Sequence, residues 1–229
     1  MKNVIAPILL TCLAFSYQVR SARSQTPVGQ NAGDRSAVKC TPDSPERRGE
    51  EGCTILADRP LQDPVPRTVY WHIDRFNSLE DANRAAGPNG VAAEAHGGKW
   101  LMTVEAKSKE HHGGSHVAWI GPLALPAANH YTMNVRSTLL KKGASTPVHK
   151  HSGPEVFYIV VGEQCLETRK TGHRIVAGKS LILPTDMVHR GRVQTASMRG
   201  ALTLVLHDSQ RPASYDLPDY SPPLTPCKS

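Results

Sequence analysis

At 229 residues, with 39% hydrophobic and 21% charged side chains, the chain has the composition of a folded domain and enough length to bury one core. Its formal charge of +7 comes from scattered Lys and Arg with only 5% aromatic residues among them, which excludes the clustered basic and aromatic face of a nucleic-acid binder. Beyond the N-terminus no apolar run approaches the roughly 20 residues of a membrane-spanning helix, so the mature chain is expected to carry no integral membrane segment.

Residues 1–24 read as a signal peptide. Lys2 supplies a short basic start, Val4 to Tyr17 is largely apolar and too short to span a bilayer, and Ala22 and Ser24 offer small residues for cleavage before Gln25. Leu9-Leu10-Thr11-Cys12 has the look of a lipobox, but Thr11 is poor before the Cys and the apolar run continues past it, which argues against a lipoprotein. Cleavage removes Lys2, Arg20 and Arg23 and no acidic residue, so +7 becomes +4. The expected location is periplasmic or secreted.

Residues 25–54 are rich in Ser, Pro, Gly and charge and are expected to be a flexible arm. Export permits disulfides among the four cysteines that remain, Cys40, Cys53, Cys165 and Cys227. Cys40 and Cys53 flank a loop with no core of its own, whose chain entropy a crosslink would offset. Cys165, in the strand-like QCLET, reads as a buried structural residue rather than a nucleophile, and the sequence does not choose its partner.

Strand-like segments follow at TILAD (54–58) and TVYWHI (68–73). A short helix is expected next, with Ser78 as its N-cap, Glu80 and Asp81 in its first turn, and Gly87-Pro88-Asn89-Gly90 stopping it. KWLMTVE, HVAWIGPLAL and HYTMNVRSTLL then read as strands, and short strands continue to ALTLVLHD (201–208). Residues 211–229 contain five prolines and are expected to form a mobile tail.

One string stands apart. Gly143 is followed after five residues by His149, then His151, Glu155 and Gly162, on what reads as a single β-hairpin. Strand side chains repeat every second residue, so His149 and His151 share a face, as chelation requires. Downstream, Gly178, Pro184 and His189 supply a turn, a proline and a third imidazole. Three imidazoles and one carboxylate suit a divalent first-row metal. The other histidines, including the adjacent His111 and His112 in a polar loop, lack a partner at ligand spacing and are not expected to be ligands. Val156 to Val161 is apolar on both faces, so Val156, Tyr158 and Val160 need cover either from residues 55–130 or from a second subunit, a possible homodimer.

These two segments resemble the paired motifs of the cupin superfamily. The first matches at every position; in the second, Asp186 stands where the family usually has Gly and Val193 where it often has Asn, neither at a ligand position. The resemblance spans residues 143–193. It implies an all-β cupin barrel, the double-stranded β-helix or jelly roll, with an N-terminal extension containing the short helix. The cupin domain would span 55–210, with a core barrel of about 115–210. It also implies that His149, His151, Glu155 and His189 hold one divalent transition metal, with Fe, Mn, Ni, Cu and Zn not distinguished.

A centre of this composition supports dioxygenase chemistry on a catecholate or enolate, and equally isomerase, lyase or decarboxylase chemistry through an enediolate. Glu155 could double as a base. Arg136, Tyr158, Gln164 and Arg190 are candidates for the pocket. The expected function is therefore an exported metal enzyme acting on a small molecule, an oxidoreductase of dioxygenase type. The alternative is a non-catalytic cupin that binds a small ligand beside a structural metal.

Overall fold

The computed structural model describes residues 40–44, 49–107, 111–194 and 197–228. The expected signal peptide and the arm as far as residue 39 lie outside these. In chain order the elements are β1 (Cys40–Pro42), β2 (Gly52–Pro60), β3 (Thr68–Phe76), α1 (Leu79–Ala85), β4 (Gly90–Ala95), β5 (Gly98–Glu105), β6 (Ser115–Ala124), β7 (Tyr131–Lys141), β8 (His149–His151), β9 (Glu155–Val161), β10 (Glu163–Thr168), β11 (Gly172–Val176), β12 (Ser180–Leu183), β13 (His189–Arg192), β14 (Met198–Asp208) and β15 (Ser214–Asp216). The fold is all-β with one short helix.

Three sheets result. A central sheet runs β1-β2-β7-β14-β9-β12, an inner sheet β11-β10-β13-β8-β15, and an outer sheet β4-β5-β3-β6. Strand β14 shows how they layer. Its Leu202, Leu204 and Leu206 are fully buried in a core with Trp71, Ile73 and Ile120 of the outer sheet, while Ala201, on the opposite face, packs with Phe157, Ile159 and Leu166 towards the inner sheet. A strand covered on both sides loses the apolar–polar alternation of a half-exposed one.

The same layering answers the question posed by Val156 to Val161. Val156 belongs to the outer core, and Tyr158 and Val160 pack against it, so residues of the same chain cover that face. Of the two expected sources of cover, residues 55–130 or a second subunit, the first supplies it. The sheet assignment also corrects the expected core barrel of 115–210. Strand β6 belongs to the outer sheet, whereas β1, β2 and β15, from either side of that span, join the two sheets that carry the motifs.

The helix forms as its sequence predicts. Ser78 is extended and its hydroxyl accepts from the Asp81 amide, and Ala82 is the residue it buries. Strand β4 was not anticipated. GVAAEA lacks the β-branched and aromatic density of a strand, but it pairs along its whole length with β5 through a tight turn at His96 and Gly97, both at positive φ (50° and 69°).

Two expectations about the ends of the chain are corrected. Residues 52–54 are not flexible arm: they begin β2, which pairs with β7, and the Cys40–Cys53 disulfide holds β1 alongside in parallel register. The proline-rich tail is docked rather than mobile. Strand β15 pairs with β8, Thr225 bridges to Thr168, and Cys227 forms a disulfide with Cys165. Prolines stop this segment from continuing a ladder, but three short attachments suffice to anchor it.

Candidate metal centre

The first motif does not form a hairpin. Its two histidines lie on β8 in the inner sheet and Glu155 opens β9 in the central sheet, so the chain crosses between sheets at Ser152 to Pro154. Glycines serve this crossing and the next. A Cβ on Gly153 would sit 1.6 Å from the Leu206 carbonyl oxygen, and one on Gly162, where β9 hands over to β10, 1.9 Å from that of Met198. No side chain fits at either. Asp186 adopts a positive φ of 61°, the conformation for which glycine is usual; its amide donates to the His151 carbonyl and its carboxylate accepts from Lys150 Nζ at 2.8 Å. Asp tolerates this region better than most residues, so the turn keeps its shape.

Strand β13 brings His189 directly opposite His149. The four candidate ligand atoms of His149, His151, Glu155 and His189 lie within 4.8 Å of one another. Nε2 of His189 and of His151 approach Glu155 Oε2 to 3.0 and 3.2 Å, yet none of these three buried atoms has a hydrogen-bond partner. Orphaned buried acceptors are costly unless something else satisfies them.

The ring orientation explains what that could be. His149 Nδ1 sits 2.8 Å from the Pro147 carbonyl, His189 Nδ1 3.0 Å from that of Met187, and His151 Nδ1 2.9 Å from that of Ala213. A carbonyl only accepts, so each Nδ1 carries the proton and each Nε2 presents a lone pair to the common point. This arrangement, in which the far nitrogen of each imidazole is held by a carbonyl, is how proteins orient histidine ligands. Two of the carbonyls come from the residue two places earlier, in Pro147-Val148-His149 and Met187-Val188-His189. The third comes from the tail, where Ser214 Oγ also stands 2.9 Å from His151 Nδ1. The tail thus helps to set a ring of the site.

The electrostatics agree with a cation-ready cluster. Burial, followed by nearby His189, pushes the His149 imidazole down to about 3, so it stays neutral. Burial alone would raise the Glu155 carboxyl, but His151 and His189 oppose it and hold it well below the usual carboxylate range. Burial lowers His189, and the Glu155 carboxylate outweighs it to leave the imidazole raised. Three nitrogen donors and one ionised oxygen donor suit a first-row divalent ion.

Three of the four candidate ligands, His149, Glu155 and His189, line a cavity of about 240 Å³ between the central and inner sheets. Of the pocket candidates, Arg136 and Gln164 line it, Tyr158 faces the outer core, and Arg190 turns away to pair with Glu167 at 2.9 Å. Arg199, which sequence reasoning missed, also lines the cavity, only 2% exposed, its guanidinium lowered by burial to about 10 against the opposing pull of Glu155. The Cys40–Cys53 disulfide closes one wall. Of the remaining histidines, His72 is fully buried, and among the described residues no second group of ligand-type side chains converges. No helix among the described residues is long and apolar enough to cross a membrane.

Residues 136–205 match the sequence pattern of the cupin domain. No curated protein matches the chain. Among solved structures it is similar to a cupin-like protein from Thermotoga maritima (16% identity, TM-score 0.35, covering 37% of this chain and 64% of that one). It is also similar to the DMSP lyase DddQ from Ruegeria pomeroyi (20%, 0.35, covering 39% and 45%). A third similarity is to a cupin 2 domain-containing protein from Halorhodospira halophila (14%, 0.33, covering 37% and 58%). The chain therefore spans less than two thirds of each.

Proposed function

The chain is a member of the cupin superfamily through residues 136–205, and on that premise we propose that it is an exported mononuclear metal enzyme acting on a small molecule. The observation that carries this reading is the set of three imidazoles, each with its Nδ1 proton committed to a backbone carbonyl, aiming Nε2 with Glu155 Oε2 at one buried point. His149, His151, Glu155 and His189 hold one divalent transition ion. With four protein donors such an ion retains open positions and supplies Lewis acidity and, for a redox-active metal, dioxygenase-type chemistry. The cavity orients the substrate and limits water. Glu155 is ionised without the metal and is the one carboxylate at the cluster, so it is also the group that can take up a proton from a bound substrate.

Two disulfides fit an oxidising compartment, and together with the apolar N-terminus they support export, with the mature chain beginning at Gln25. Intact-mass measurement of the exported protein tests that start, and a retained N-terminus contradicts it.

Elemental analysis and water-proton relaxation of the manganese-loaded protein test the function. The reading requires close to one metal per chain, its loss in His151→Ala, and water that exchanges at the ion. Turnover, screened aerobically and anaerobically on phenolic and carbonyl compounds, should fall by at least ~10²-fold in Glu155→Gln, with the fold intact. An ion with no exchangeable water, lowering only the melting temperature when removed, would make the protein a ligand-binding cupin with a structural metal.

A further inference from the structure

The proposed metal accounts for part of the cavity wall and leaves two arginines in that wall unexplained. Arg136 and Arg199 both line it. The Arg136 guanidinium reaches Asn134 Oδ1 and Ser214 Oγ, the latter at 3.1 Å, and Arg199 Nη1 reaches Thr138 Oγ1. These partners are neutral. Among the described residues neither guanidinium has a carboxylate in ion-pair contact, and Arg199 Nε, buried, has no hydrogen-bond partner. A buried guanidinium without a counter-charge is costly and is seldom retained without a purpose.

Strand register places both groups on one stretch of wall. Arg136 and Thr138 share a face of β7 two residues apart, and Arg199 descends from β14 onto Thr138. Arg136 pairs with Thr203, which pairs with Phe157, two residues along β9 from Glu155 on the cavity face. In backbone register Arg136 is thus offset from Glu155 by roughly 7 Å along the strands and about 10 Å across them, although its guanidinium shares Ser214 Oγ with the His151 ring. Arg199, opposite Leu140, lies four residues further along. Gln164 lines the same cavity from the inner sheet, only 1% exposed, with neither amide oxygen nor amide nitrogen bonded. Guanidinium forks and a free amide match the planar geometry of a carboxylate.

Charge leads to the same class. Both arginines feel the Glu155 carboxylate, but a bound divalent ion would take up that charge. Within the cavity the ion and two guanidiniums would then stand against the Glu155 carboxylate, with Asp58, exposed and outside the lining, acting on Arg136 and Asp216 an exposed group at the edge. On the reading that a metal sits at the histidine cluster, we infer that the substrate is a small organic carboxylate whose anionic end is held by Arg136 and Arg199 while its reacting end lies at the cluster.

Calorimetric titration of the full mature chain, loaded with zinc, tests this with succinate, its neutral analogue succinamide and inorganic phosphate as probes. Succinate should bind and succinamide should not. Arg136→Met and Arg199→Met should each weaken succinate at least about tenfold while retaining wild-type zinc. Arg136 is half-buried, so its variant carries the test if Arg199→Met fails to fold. Equal binding of succinate and succinamide, or undiminished succinate binding in the variants, overturns the inference. Binding of phosphate without succinate overturns the carboxylate assignment. If wild type binds no zinc, the proposed function fails on its own; arginine-dependent succinate binding by the metal-free protein then still supports the anion site, and its absence overturns it.

Discussion

The two faces of β14 follow different rules. On the outer face Leu202, Leu204 and Leu206 are fully buried against Trp71, Ile73 and Ile120, a seam where any well-shaped apolar side chain contributes. On the inner face Arg199 and Thr203 are almost as inaccessible yet polar, beside a cavity that holds unbonded nitrogens and oxygens. Burial of apolar surface is favourable without regard to direction, whereas burial of a guanidinium or a carboxylate is unfavourable until a partner arrives. The outer seam therefore supplies the stability that lets the inner face keep its unsatisfied groups in place.

The sharpest way to break this comparison is to damage the seam. Leu204→Ala should cost about 2–5 kcal/mol of stability, measured by chemical unfolding, while metal content below the melting transition stays at the wild-type level. Equal loss of metal and stability would mean that the two faces are not separable.

The tail provides the next test, since it serves both. Replacing Cys165 and Cys227 together by Ser should lower stability by about 2–4 kcal/mol. Because Ala213 holds the His151 ring, it should also weaken metal binding, and less than His151→Ala does. Unchanged metal affinity would confine the tail to a structural role.

The smallest effect is in pH. His96 bonds to the Ala201 carbonyl at 3.2 Å, and its imidazole is lowered by burial, with the Arg199 charge adding to the shift. A histidine depressed in the folded state contributes stability above its unfolded value near 6.5, and that contribution is lost as pH falls below it, because the unfolded chain then binds the proton first. The wild type should lose stability more steeply between pH 6.5 and 5 than His96→Asn does, by less than about 1.4 kcal/mol per pH unit. Asn is chosen because it accepts the positive φ of that turn. Parallel curves would remove His96 from the account.

What could be read in the sequence depended on range. His149, His151, Glu155 and His189 stand out because their glycine and proline punctuation is local, and the Ser78 cap is visible for the same reason. That β8 and β9 belong to different sheets was not visible, since nothing in Ser152-Gly153-Pro154 distinguishes a hairpin turn from a crossing until the backbone of Leu206 is known to press on Gly153. Arg199 reads as an ordinary surface residue ahead of an apolar strand; only pairing across β7 and β14 carries it inside. The tail reads as mobile because of its five prolines, whereas its anchors, Ser214 opposite His151 and Cys227 to Cys165, are contacts 62 or more residues apart. β4 was hidden by alanines whose strand state is imposed by β5.

The central claim, that the three Nε2 atoms and Glu155 hold one metal ion, is tested most directly by X-ray absorption spectroscopy of the metal-loaded chain. The account predicts scattering from three imidazoles with oxygen donors completing the shell, and loss of bound metal in His151→Ala. A spectrum dominated by sulfur, or by oxygen with no imidazole contribution, or one that is identical in wild type and His151→Ala, would contradict it.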